Sequence, residues 1–183
     1  ISYTGPDKLL RLLPATLSGF RGRGHDLLVR THFAPSRSFR LMMRLGLAKA
    51  TYVYRDPRDV VLSAMDHGQR GRDCGSEHEL MALTSLDKAI DYTRANLMPH
   101  FNAWMDTPGV LKLRYEDLTA DTPGSLTHIS EYLGLNLTDE AIRAVAERFD
   151  KSAMNRGDRV QMLVNRGTAA RFQTEMTDEQ RRI

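Results

Sequence analysis

Three short runs carry the apolar, β-branched and aromatic residues expected of buried strands: "DLLVRTH" (26–32), "ATYVYR" (50–55) and "VLKLRY" (110–115). Each is followed at some distance by helical periodicity, an order that predicts a parallel sheet covered by helices, hence an α/β fold. In "SFRLMMRLG" (38–46), Leu41, Met42 and Leu45 share one side of a helix, and Gly46 suits the left-handed stop. "DPRDVVLSAM" reads as a helix start with Asp56 as cap, Pro57 at the first helical position and Asp59 placed to reach back to the cap amide. Leu83, Leu86, Ile90, Leu97, Phe101 and Trp104 trace one face of a long helix interrupted near Pro99. Thr122 caps a further helix whose buried side is Leu126, Ile129 and Leu133 and whose stop is Gly134. Thr138 opens another, with Ile142, Val145 and Phe149 turned inward. Residues 68–78, "GQRGRDCGSEH", and 151–170 read as polar loops.

Composition narrows what such a sheet can serve. The chain has 183 residues, 41% of them hydrophobic, enough for one sizeable core, so a single domain over 1–183 is expected. Its formal charge of +3 hides an asymmetry: residues 1–60 hold eleven Lys or Arg against four Asp or Glu. That bias admits an anionic ligand, a nucleic acid or an anionic surface. Cys74 is the sole cysteine, so an internal disulfide is excluded, and no histidine spacing matches a metal-ligand motif. No run approaches bilayer-spanning length, and a cytoplasmic protein is the simplest expectation, although Ile1 is not a natural initiator.

Candidate chemistry gathers at the predicted strand ends. Open α/β sheets collect ligands at the carboxyl ends of their strands, where helix N-termini offer amides to anions. Arg55 ends the second strand with a fork of donors matched to phosphate oxygens, and Ser63, eight residues on, offers a hydroxyl. Salt bridges from Arg55 or Arg58 to Asp56 or Asp59 account for the same charges without a ligand. His32, at the end of the first strand, has the proton affinity of a general base, though a structural histidine fits that place as well. Arg166, Gly167 and Arg171 add cations and close backbone access in "VNRGTAARF".

Taken together and in order, "RTHFAP", "YVYRDPRDVVLS", "LKLRYEDLTADTPGSLTHISEYLGL" and "NRGTAARFQTEMTDEQ" resemble the segments of sulfotransferases that use 3′-phosphoadenosine 5′-phosphosulfate. The resemblance implies a three-layer parallel sheet flanked by helices, in a P-loop NTPase-like sulfotransferase fold. It implies transfer of a sulfuryl group from that nucleotide to a hydroxyl or amine of an organic acceptor, leaving 3′-phosphoadenosine 5′-phosphate, with no metal. His32 becomes the general base, Arg55 and Ser63 the 3′-phosphate ligands, Tyr115 an adenine contact, and Arg166 with Gly167 further 3′-phosphate contacts. Phe172 stands where the family commonly has tryptophan, and Asp59 and Glu116 brace these motifs. A bacterial member with a small-molecule, glycopeptide or glycolipid acceptor is expected, without a nucleic-acid partner. The family's amino-terminal phosphate loop has no counterpart: "YTGPDKLLRLLP" lacks its Gly-Lys-Ser/Thr cluster, and Lys8 is not given that role. The chain is therefore expected to be truncated or incompletely represented at both ends. Two other readings stand beside this one, a nucleotide-binding P-loop-like kinase and a non-catalytic, basic nucleic-acid-binding module.

Overall fold

The computed structural model describes residues 28–31, 33–75, 78–148 and 170–182. In chain order the elements are α1 (Arg37–Arg44), β1 (Thr51–Tyr54), α2 (Pro57–Cys74), a 3₁₀ turn (Glu79–Ala82), α3 (Leu86–Tyr92), a π turn (Thr93–Leu97), α4 (Met98–Met105), β2 (Leu111–Arg114), α5 (Tyr115–Ala120), α6 (Thr122–Leu133), α7 (Asp139–Arg148) and α8 (Phe172–Glu175). They fall into two compact units. One lies within 1–50 and 99–110, the other within 51–98 and 111–183.

In the first unit, the Ser36 hydroxyl accepts from the Phe39 amide at 3.2 Å and starts α1, which ends before Gly46 at φ 69°. Trp104 of α4 is buried beneath it. Its indole donates to the Phe33 carbonyl at 3.0 Å, and its ring meets Phe39 edge-on. Residues 28–31, the described part of the strand expected over 26–32, form no strand. Leu28 is almost fully exposed there, so the run buries too little apolar surface to hold one. Leu41 and Leu45, on the shared side of this helical stretch, are also exposed.

The second unit contains the sheet. β1 and β2 pair in parallel, with Thr51 opposite Leu111 and Tyr54 opposite Arg114. Asp56 caps α2 by accepting from the Arg58 amide at 2.9 Å, and Pro57 sits in its first turn. The helix then runs through residues 68–74, which the sequence suggested were loop, and stops at Gly75 with φ 65°. The polar composition there misleads because Gly68 and Gly71 are the buried positions. A Cβ at Gly68 would collide with the Leu80 carbonyl, so the glycine lets the 3₁₀ turn lie against α2.

Val61, Leu62 and Ala64 of α2 pack with Leu83, Ala89, Ile90, Phe172 and Met176 to form the core. The helical stretch before Pro99 does not break. It widens into the π turn, which accommodates a proline that cannot donate to the carbonyl four residues back. At α6 the cap is Asp121, whose carboxylate accepts from the Gly124 amide at 2.9 Å; Thr122, the expected cap, instead donates its hydroxyl to Leu118. Gly134 ends that helix at φ 76°, and the Thr138 hydroxyl caps α7. Ile142 is buried as expected, whereas Val145 is exposed and Phe149 lies outside the described residues.

Candidate functional site

The in-register pairing of Tyr54 with Arg114 makes the next residues of the two strands, Arg55 and Tyr115, leave the sheet at the same edge. The Arg55 guanidinium lies over the Tyr115 ring, 4.9 Å from its centroid. One nitrogen of that guanidinium, Nη2, donates to Asp59 Oδ2 at 3.3 Å, and Nε lies 3.7 Å from Glu116 Oε1. Glu116 is also paired with Arg114 at 3.1 Å. Two carboxylates thus hold the cation against an aromatic face, leaving its side chain 16% exposed. A guanidinium pinned in this way presents its remaining donors in a fixed direction.

Arg55 and Ser63 line one cavity of about 280 Å³, together with Val60, Ala64, His67, Arg70 and Leu80. Ser63, His67 and Arg70 are spaced four and three residues apart on α2, hence on one helical face. Burial, then the neighbouring His78 and Arg70, lower the pKa of His67, so the imidazole resists taking up a proton. The His67 and His78 rings lie 4.8 Å apart. With a guanidinium, a hydroxyl and an imidazole on its walls, the cavity suits an oxyanion accepting several hydrogen bonds.

Asp59 was expected to reach back to its helix cap. Its Oδ2 accepts instead from Arg55 and, at 2.7 Å, from the backbone amide of Ala170. Two further contacts join the same pair of segments. The Arg58 guanidinium stacks 3.7 Å from the Phe172 ring centroid while chelating Asp56 at 2.6 and 2.8 Å. That chelation lowers the pKa of Asp56. Arg171, buried, donates to Asp66 at 2.7 Å and to Glu175 at 2.8 Å, and these carboxylates raise its pKa despite burial.

Of the six residues singled out from the sequence, the structure brings Arg55 together with Tyr115 and, on the cavity wall, with Ser63. His32, Arg166 and Gly167 lie outside the described residues. Sequence reading missed His67 and Arg70, although their helical spacing from Ser63 was available. It also missed the bond from Asp59 to Ala170, for which no local signal exists, since the partners are 111 positions apart.

Comparison with known proteins identifies the family and the fold. The chain is 29% identical over 109 residues to sulfotransferase 6B1 of Danio rerio, covering 58% of the chain and 37% of that relative. It is 23% identical over 145 residues to sulfotransferase 2A1 of Rattus norvegicus, covering 74% and 51% of the two. The chain thus spans about a third to a half of these relatives. Among solved structures, mouse sulfotransferase SULT7A1 complexed with PAP superposes with a TM-score of 0.70 at 16% identity, over 92% of this chain and 66% of that one. Retinol dehydratase in complex with androsterone and inactive cofactor PAP does so with a TM-score of 0.65 at 19% identity, over 95% and 57%. These likenesses give the fold, a sulfotransferase fold of the P-loop-like α/β kind. The sequence profile of the sulfotransferase domain matches residues 21–183, and the chain belongs to that family.

Proposed function

We propose that the protein transfers a sulfuryl group from 3′-phosphoadenosine 5′-phosphosulfate to a hydroxyl or amine of an organic acceptor. The observation that carries the reading is the placement of Arg55, which lies over Tyr115 at one edge of a parallel sheet and lines one cavity with Ser63. Those groups fit the nucleotide: a guanidinium and a hydroxyl for the 3′-phosphate, and an aromatic face for adenine. When bound, the nucleotide supplies the activated sulfuryl group.

The chain's own residues bind and orient it. Arg55 offers charged donors, Ser63 a neutral one, and Tyr115 stacking area; Arg166 and Gly167, a few positions before Ala170 in the sequence, add a cation and backbone amides. His32 takes the acceptor proton as the acceptor oxygen or nitrogen attacks. The androsterone and retinol bound by the structural neighbours support an organic acceptor of modest size. Glycopeptide or glycolipid acceptors and a cytoplasmic, bacterial setting extend the same reading.

Calorimetric titration tests the nucleotide site. Adenosine 3′,5′-bisphosphate is expected to bind at least tenfold more tightly than adenosine 5′-phosphate, and Arg55→Gln or Ser63→Ala to erase most of that preference. Equal affinity for the two nucleotides in the unaltered protein would sink the assignment. His32→Ala is expected to keep nucleotide affinity and lose transfer to a phenolic acceptor; an unchanged rate would remove it as base.

A further inference from the structure

We infer that Asp59 is a positioning residue, one carboxylate that fixes both the Arg55 guanidinium and the backbone at Ala170 where they serve the nucleotide. The inference rests on the proposed role of Arg55 and extends it to a group that touches no ligand. Asp59 is buried, its side chain 1% exposed, and one oxygen, Oδ2, accepts from both segments at 3.3 and 2.7 Å. Its other oxygen, Oδ1, is buried with no hydrogen-bond partner among the described residues. A buried carboxylate left half-satisfied is costly, and an apolar residue of similar volume commonly serves stability better. What offsets that cost is what it holds.

What it holds is the junction between two parts of the site. Arg55 leaves β1, and Ala170 adopts φ 61°, a left-handed conformation uncommon for a residue with a Cβ. Strain of this kind persists where surrounding contacts over-determine the backbone. Here those contacts are the Asp59 bond on one side of Ala170 and, on the other, the Arg171 pairs and the Phe172 stack on Arg58. Because both donors converge on one oxygen, movement of either segment disturbs the other. A misplacement of about 1 Å at a binding or catalytic group costs up to about a hundredfold in function.

Asp66 provides the control. It also ties α2 to the C-terminal segment, through Arg171, but does not contact Arg55. Asp59→Asn keeps the side-chain volume and one carbonyl acceptor while removing the charge that orients the guanidinium. The two variants are expected to lower the thermal midpoint to a similar degree. Only Asp59→Asn is expected to weaken adenosine 3′,5′-bisphosphate binding, by tenfold or more, while Asp66→Asn stays within twofold. In the ligand-free protein the Arg55 guanidinium N–H resonances should be sharp in the unaltered protein and in Asp66→Asn, and broadened in Asp59→Asn. Exchange of the Ala170 amide should quicken most in Asp59→Asn.

Bisphosphate affinity in Asp59→Asn equal to or tighter than that of the unaltered protein would overturn the assignment, since removing a negative charge near an anion would then outweigh positioning. An equal loss in both variants would reduce Asp59 to a stability residue. If the unaltered protein binds no bisphosphate, the nucleotide reading falls, and the Arg55 resonances with the Ala170 exchange still decide whether Asp59 orders these two groups.

Discussion

Gly68→Ala sets two opposing effects against each other, and the structure decides the sign. Gly68 is buried in the middle of α2, where alanine is the better helix former by about 1 kcal/mol. The new Cβ, however, would collide with the Leu80 carbonyl oxygen and lie 2.9 Å from its carbon. That carbonyl cannot simply turn aside, because it accepts from the Leu83 amide at 3.0 Å and so closes the 3₁₀ turn. Overpacking of a tight contact costs about 1–3 kcal/mol, and a backbone obstacle belongs in the upper part of that range. The net effect is a loss of about 1–2 kcal/mol. For a chain of this size that lowers the thermal midpoint by about 2–8 °C. Leu80 also lines the cavity beside Arg55, so bisphosphate affinity should fall with it. Gly71→Ala is the comparison: the atoms nearest its Cβ belong to the His78 ring, a side chain rather than backbone, and its midpoint should stay near that of the unaltered protein. Thermal melts followed by circular dichroism read both. A Gly68→Ala protein as stable as the original, or a costlier Gly71→Ala, would refute the reasoning.

Four further outcomes follow from named contacts. Folded His67 holds its proton less tightly than an unfolded histidine, ordinarily near 6.5, so the unfolded chain binds more protons below about that pH. His67 should therefore contribute a loss of stability as pH falls from about 6.5, absent at higher pH where it is neutral in both states; His67→Gln should flatten that part of a denaturation series. Asp56, whose pKa is lowered by its hydrogen bond from Arg58, should contribute a separate loss only at pH below about 4, read in the same series with Asp56→Asn. Phe172→Ala removes a buried ring that joins the core to the Arg58 guanidinium and should cost about 3–5 kcal/mol, with Phe172→Leu recovering more than half in urea denaturation. Asp121→Ala should cost about 1 kcal/mol through the lost cap, whereas Thr122→Ser, which keeps the hydroxyl donated to Leu118, should be nearly silent in the same assay.

Local signals were the most legible. Asp56 with Pro57, Gly134 and Thr138 act within one helical turn, and their chemistry can be read without knowing what surrounds them. Thr122 shows the limit of that reading: it and Asp121 are adjacent cap formers, and only backbone geometry selects between them. Residues 68–74 looked like a loop because the stretch is polar, whereas Gly68 is required by the close approach of Leu80. Arg55 stood out at a predicted strand end and Ser63 on the helix after it, Tyr115 came with the family resemblance, and the parallel register supplied what the sequence lacked, the fact that the ends of the two strands are neighbours. Asp59 joins Arg55 to Ala170 across the chain, a relation no periodicity encodes.

The pairing of β1 with β2 also bears on how the protein folds. Thr51 and Leu111 stand sixty positions apart, so bringing them together carries a loop-closure entropy of about 3–4 kcal/mol before any ladder bond offsets it. Contacts of such high sequence separation form late and slow the search for the native state. The meeting of Arg55 with Tyr115 depends on that closure, whereas the caps of α2 and α6 do not. A nascent or partly unfolded chain thus carries its helices before it carries the edge proposed to bind the nucleotide, and a ligand bound at that edge would favour the last contacts to assemble.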